Sequence, residues 1–265
     1  MKRILPASTR NGIRPQRSAP VRLRRSEVRA KWEADMATVQ NHLIKLLPRS
    51  DRLKFLSSCE EVQLVLADVL SVPGESTPYV YFPVDGFISL VAAIDGSAYL
   101  EVGMVGREGM VGAHVALGVL TAPLRAVVQG PGSAWRISSK AFQTELATSE
   151  AFQRVLDRYV CVLMAQLTTS AACLRFHEIG PRLARWLLMS QDRAHSDSFR
   201  MTHEFLAYML GVRRVGITAA AGVLQQGGLI EYTRGDLTVL DRAGLEAAAC
   251  GCYAADRKGY ADLLE

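Results

Sequence analysis

Apolar residues first recur at helical spacing between Ala37 and about Ser58: Leu43, Ile44, Leu46 and Leu47, then Leu53, Phe55 and Leu56. Pro48 marks a break between the two groups. From Glu61 to about Ile137 the pattern changes to short β-rich runs: Val62–Leu66, Tyr79–Phe82, Gly86–Val91, Ala98–Val102 and Ala126–Gln129. Turn residues separate them, among them Pro73-Gly74-Glu75-Ser76, Pro83-Val84-Asp85-Gly86 and Asp95-Gly96-Ser97. Strands at roughly ten-residue spacing indicate an antiparallel barrel or sandwich. Gly112 to Leu120 interrupts it as a short helix.

Helical spacing returns at Ser149 and runs to about Leu174, with Phe152, Leu156, Tyr159, Leu163, Leu167 and Leu174 three, four or seven residues apart and no Pro or Gly between. A helix of that length with an apolar seam suits a two-stranded coiled coil. Packing back on its own domain is the alternative. His177 to about Arg193 is a further helix, with Pro181 in its first turn and Leu183, Trp186, Leu187 and Leu188 as its apolar face. Asp241 to Tyr253 closes the pattern as a helix capped by Asp241 and anchored by Leu245.

Between these two helices lies Met201–Ile230, which reads as two short helices joined by a tight turn. Thr202 can cap the first, and Phe205, Leu206 and Met209 share its apolar face. Gly211 stands where the turn needs a residue without Cβ strain. Arg213 and Arg214 open the second helix, whose buried face is Ile217, Ala220, Ala221 and Leu224. Leu229–Tyr232 and Leu237–Leu240 then flank Thr233-Arg234-Gly235-Asp236, a hairpin signal with Gly235 in the turn. Two helices followed by a hairpin make a winged helix-turn-helix. Such a unit sets the first turn of its second helix in the major groove, where an arginine can hold guanine by two hydrogen bonds. Thr202, His203, Arg213, Arg214, Thr218 and Arg234 are the candidate DNA contacts, with Arg234 at the wing tip reaching a phosphate. One recognition helix per chain favours pairing, since two then address half-sites about 34 Å apart.

Charge adds an arm to this picture. Residues 1–35 carry ten basic and three acidic side chains, net +7, against +5 for all 265 residues, so the other 230 are net −2. The high pI therefore belongs to the arm and does not show that the folded body binds nucleic acid. Without apolar periodicity and with Pro6, Pro15 and Pro20, residues 1–36 are expected to be disordered. The arm could add unspecific attraction to phosphates. An Arg-rich targeting peptide, or translation starting at Met36, fits the same residues. No apolar run approaches the ~18 residues of a membrane helix, so no membrane partner and a cytoplasmic location are expected. The five cysteines are odd in number and scattered, which is no disulfide framework. Cys250-Gly251-Cys252 is the one close pair. No other Cys or His lies beside it in sequence, so although the pair can bind a soft metal or oxidise, no metal and no cofactor are expected.

In this order, Arg182-Leu183-Ala184-Arg185-Trp186-Leu187-Leu188-Met189, Leu210-Gly211-Val212-Arg213-Arg214 and Gly228-Leu229-Ile230 resemble the C-terminal domain of the Crp/Fnr superfamily of bacterial transcription regulators. The resemblance covers about residues 40–253. It implies an α+β fold: an antiparallel β-roll or barrel sensor over 37–148, similar to cyclic-nucleotide-binding domains, a dimerisation helix over 149–176, and a winged helix-turn-helix over 177–265. It further implies a homodimer on a palindromic operator in double-stranded DNA, recruiting or blocking RNA polymerase. Arg214 takes the position of the family's main base-reading arginine. Arg213 stands where a small hydroxyl residue is common, and Val215 and Ala219 replace residues that are often Glu and Arg, so a different operator is expected.

The resemblance also places Glu108 and Arg125 as effector-binding residues. Arg107 replaces the leading Gly of the cyclic-nucleotide loop and Ala126 its hydroxyl residue, so cyclic AMP should bind weakly or not at all, and an unknown small molecule remains as effector. An internal Glu108–Arg125 ion pair is the alternative. An oxygen-sensing cluster would need several cysteines near the N-terminus, where Cys59 stands alone. None of the five histidines has the context of a haem ligand. Enzyme motifs are absent: His203-Glu204-Phe205-Leu206-Ala207 starts like a zinc-protease helix, but Ala207 replaces its second histidine. The competing reading is a dimeric ligand- or protein-binding module whose winged helix does not read DNA.

Overall fold

The computed structural model describes residues 41–94 and 98–264. The basic arm over 1–36 and the Asp95-Gly96-Ser97 turn lie outside them. Two short helices come first, α1 (His42–Lys45) and α2 (Arg49–Ser57), parted at Pro48 as expected. Asn41 fixes the chain's entry into the body. Its carboxamide oxygen caps α1 at Ile44 N, and Nδ2 donates to the carbonyls of Pro83 and Gly109, both at 2.9 Å.

Seven strands follow: β1 (Glu60–Leu64), β2 (Val69–Ser71), β3 (Tyr79–Pro83), β4 (Phe87–Ile94), β5 (Ala98–Val105), β6 (Arg125–Gly130) and β7 (Gly132–Ser138). They form two antiparallel sheets, ordered β1-β7-β3 and β2-β6-β4-β5. In β6 burial alternates residue by residue, the period of a strand with one face on a core. Ile88, Val105, Ala126, Val128 and Ala134 fill the space between the sheets. The expected interruption is a 3-10 helix, Ala113–Leu117.

Ser138 caps α3 (Ser139–Thr148), a helix the apolar pattern did not separate, and Ser149 caps α4 (Glu150–Phe176). The seam expected to face a partner largely faces inward. Phe152 packs edge-on against Phe55 and Phe142, with ring centroids 4.7 and 5.7 Å apart. Leu156 and Tyr159 are buried, and Tyr159 donates its hydroxyl to Met110 O at 3.1 Å. The reason is chemical: such rings contribute most where they are enclosed, and the β-roll offers Phe55 and Phe82 to enclose them. Midway along α4, Cys161, Met164, Ala165, Thr168, Ala171 and Ala172 stay outside, among charged residues nearer its ends. The expectation about membrane length also needs correction, because α4 is long and apolar enough to cross one by length and composition. Gln166, Thr168, Thr169 and Ser170 broke the apolar run when read singly, yet no charge interrupts Tyr159–Leu174.

The C-terminal part comprises α5 (Ile179–Ala194), β8 (Ser198–Arg200), α6 (His203–Leu210), α7 (Arg214–Gln226), the hairpin β9 (Ile230–Thr233) and β10 (Asp236–Val239), α8 (Arg242–Ala248) and α9 (Cys252–Leu264). Its sheet is ordered β8-β10-β9. Asp241 caps α8 and Leu245 is fully buried, but the single closing helix is in fact two, broken at Ala249–Gly251. The core built on Leu183, Leu187, Leu206, Ile217 and Leu237 extends into the β-roll, taking in Phe87, Val91 and Met104.

Candidate nucleic-acid interface

Helices α6 and α7 meet at 108°, inside the range for a helix-turn-helix. Thr202 caps α6 by accepting from Phe205 N at 3.1 Å. Gly211 ends it with φ +62°, and a Cβ there would lie 2.7 Å from Leu100 Cδ1 on β5. Only glycine meets both demands, the left-handed turn and the close approach. Ile217, Ala220, Ala221 and Leu224 are buried beneath α7, and the opposite face, with Arg214, Val215, Thr218, Ala219 and Val223, is exposed.

The six candidate contacts divide evenly. Arg213 and Arg214 stand exposed at the start of α7, and Arg234 at the hairpin tip. Arg214 Nε is 3.9 Å from Glu204 Oε2, both side chains largely exposed, so the pair holds the guanidinium weakly. Arg234 and Gly235 have φ +53° and +94°, the paired positive angles of a type I′ turn. Thr202, His203 and Thr218 are engaged within the protein. Thr218 Oγ1 donates to Arg214 O at 3.1 Å and lies 3.0 Å from His203 Nδ1, which leaves Nδ1–H as the donor. The imidazole stacks on Tyr232, centroids 4.3 Å apart, and Tyr232 donates its hydroxyl to Met201 O. Burial, then the charge of Arg214, lowers the His203 pKa and favours the neutral ring. His203 therefore ties the wing to the helices.

Glu108 and Arg125 are not brought together. Arg125 opens β6 opposite Val91. Glu108 Oε1 instead accepts from Arg193 Nε of α5 at 2.7 Å and from Gly106 N at 3.0 Å. This pair replaces the Glu108–Arg125 ion pair of the sequence reading. Arg193 is almost wholly enclosed, and although burial opposes its charge, Glu108 and other neighbours raise its pKa on balance. An open cleft of about 810 Å³ lies beside the pair, lined also by Arg107, Asp192, Tyr253 and Tyr260 and not by Arg125. Arg193 and Tyr260 had no signal in the sequence, being 85 and 152 residues from Glu108. A second, half-buried acid lies where the β-roll meets α5. Glu101 accepts from Trp186 Nε1 at 2.8 Å and from Ser89 Oγ, and burial pushes its carboxyl up to about 7.

Residues 181–248 match the Crp-like helix-turn-helix domain. Solved structures align over most of the chain. One is FixK2 from Bradyrhizobium japonicum, at 14% identity and TM-score 0.62, covering 72% of this chain and 98% of that one. Another is a CRP-family transcriptional regulator from Thermus thermophilus, at 19% and 0.60, covering 71% and 96%. A third is the c-di-GMP-responsive global regulator CLP from Xanthomonas campestris, at 17% and 0.60, covering 73% and 100%. The chain has the Crp/Fnr regulator fold and carries a Crp-like helix-turn-helix domain. No curated protein matches its sequence. In this Crp-like domain the matched stretch runs from Pro181 in the first turn of α5 to the end of α8, so it contains both helices of the helix-turn-helix and its wing.

Proposed function

We propose that the chain is a transcription regulator that reads a specific DNA sequence as a homodimer, with residues 37–148 as an atypical sensor, 149–176 as the dimer helix and 177–265 as the DNA-binding domain. The observation that carries this reading is the outward placement of Arg213, Arg214 and Arg234 on one Crp-like domain, while Thr202, His203 and Thr218 bond within the protein. Arg214 reads a base, while Arg213 and Arg234 meet phosphates. The pairing surface is the outer stripe of α4. Cys161, Met164, Thr168 and Ala171 recur at three- and four-residue steps, the spacing of a coiled-coil seam, and the small side chains of Ala165 and Ala172 allow close helix approach.

For the sensor, the engaged state of Glu108 supports weak or absent cyclic AMP binding. Its carboxylate is already satisfied by Arg193 and a backbone amide, and a ribose hydroxyl would have to displace a charge-assisted bond. The test is selection from a random duplex library with purified full chain and no added ligand. An enriched palindrome with half-sites one helical turn apart supports the reading. A folded dimer that enriches nothing, with or without added nucleotides, overturns it.

A further inference from the structure

Four ligand-type side chains far apart in sequence meet at the joint between α4 and the Crp-like domain. Cys173 and His177 lie one turn apart at the end of α4, where His177 is the C-terminal cap. Cys250 lies in the break between α8 and α9, and Cys252 opens α9. Their ligand atoms all lie within 4.8 Å of one another. Cys173 Sγ is 3.5 Å from Cys250 Sγ, and Cys252 Sγ is 3.5 Å from His177 Nδ1. Zn–S bonds of about 2.3 Å and Zn–N bonds of about 2.0 Å set tetrahedral edges near 3.5–3.8 Å, so these atoms need to move little to enclose one ion.

We propose that Cys173, His177, Cys250 and Cys252 bind a single soft divalent cation of the zinc class, which clamps the end of α4 to the C-terminal helices. The donor set, three thiols and an imidazole, is that of closed structural zinc sites. A cluster of several irons would hold its thiolates apart with iron and sulfide between them, and the spacing here leaves room for one ion. The surroundings suit the charge. Three thiolates around a dication leave a net −1, and the guanidinium of Arg185 lies close enough to Cys173 and Cys252 to offset that charge. Arg185 is itself buried and held by Asp256 of α9 at 2.6 Å. Cys173 and Cys250 are buried, Cys252 is partly covered and the His177 side is open, which gives an ion a way in. The backbone also supports the arrangement, with Cys250 N donating to Pro181 O in the first turn of α5. The clamp would span 77 residues and hold the two-residue joint His177–Glu178 between α4 and α5. It does not depend on the DNA-binding reading.

The test uses the full chain, purified in reductant, with zinc and cobalt as probes. The expected result is one tightly held zinc per chain. Cobalt in its place should give thiolate charge-transfer absorption and the strong visible bands of a tetrahedral site. Zinc should shield Cys173, Cys250 and Cys252 from alkylation, and a chelator should abolish the shielding. That arm needs no variant and stands even if Cys250→Ser fails to fold. Cys250→Ser and His177→Ala should lose the ion or the tetrahedral cobalt bands, and Cys59→Ser should keep both. A reduced chain that binds neither metal overturns the proposal. So does a Cys173–Cys250 disulfide that persists in reductant, or iron and sulfide at these cysteines.

Discussion

The helix-turn-helix and the β-roll treat their charged residues in opposite ways. On α7 and the wing, arginines stand in solvent and the neutral side chains bond inward. At Glu108 the acid that could face a ligand is taken by Arg193, a residue of the domain that follows the roll. An arginine left in water costs nothing to hold and is available to a phosphate or a base. A carboxylate enclosed beside a guanidinium is costly to unpair. The first arrangement leaves charge open to solvent, and the second is a bond between two parts of one body.

The sharpest way to break that contrast is Arg193→Ala. It leaves Glu108 without its partner and should cost about 3–5 kcal/mol in urea unfolding, while Arg193→Met with Glu108→Gln should restore much of it. An unchanged midpoint in Arg193→Ala would show that the pair is not a structural bond. Arg214→Ala should leave stability alone and cost ~1–3 kcal/mol of binding to the selected operator, relaxing one base pair per half-site. Equal weakening on all sequences would reduce Arg214 to a phosphate contact.

Glu101 sharpens the comparison by pH. Its folded carboxyl titrates near 7, above the ordinary 4.5, so between those values the folded chain keeps a proton that the unfolded chain has lost. Stability should therefore be highest below pH 4.5 as far as this group is concerned, and fall as pH rises to 7. The fall is about 1–3 kcal/mol once partial exposure is allowed for. Glu101→Gln should flatten that slope in a series of melts from pH 5 to 8. The smallest effect belongs to Arg234→Gly. Relief of a non-glycine residue from φ +53° should raise stability by up to about 1 kcal/mol. The salt dependence of DNA binding should become shallower by about one charge.

Local chemistry was legible in the sequence. Thr202 and Asp241 cap the helices expected of them, Gly235 makes the hairpin turn, and Ile217, Ala220, Ala221 and Leu224 are the buried face of α7. What escaped was decided at long range. Periodicity finds the apolar face of α4 but does not say whether its rings meet a second chain or Phe55 and Phe142. Glu108 resembles a ligand contact until the fold brings Arg193 to it. The short strands β2 and β8 have three residues each, too few for a period to appear. Cys250 and Cys252 looked isolated because Cys173 and His177 precede them by more than seventy residues. Their four-residue step at a helix end was the one available hint, since it puts a thiol and an imidazole on the same face.

The core shared by Phe87, Val91 and Met104 with the helices of the Crp-like domain has a mechanical meaning. With Gly211 seated against Leu100, the roll and these helices touch directly. A signal arriving in the roll cannot tilt that domain as a hinge tilts a door. It must either transmit a displacement through close-packed side chains, as a solid does, or melt the seam and pay the full cost of exposing it.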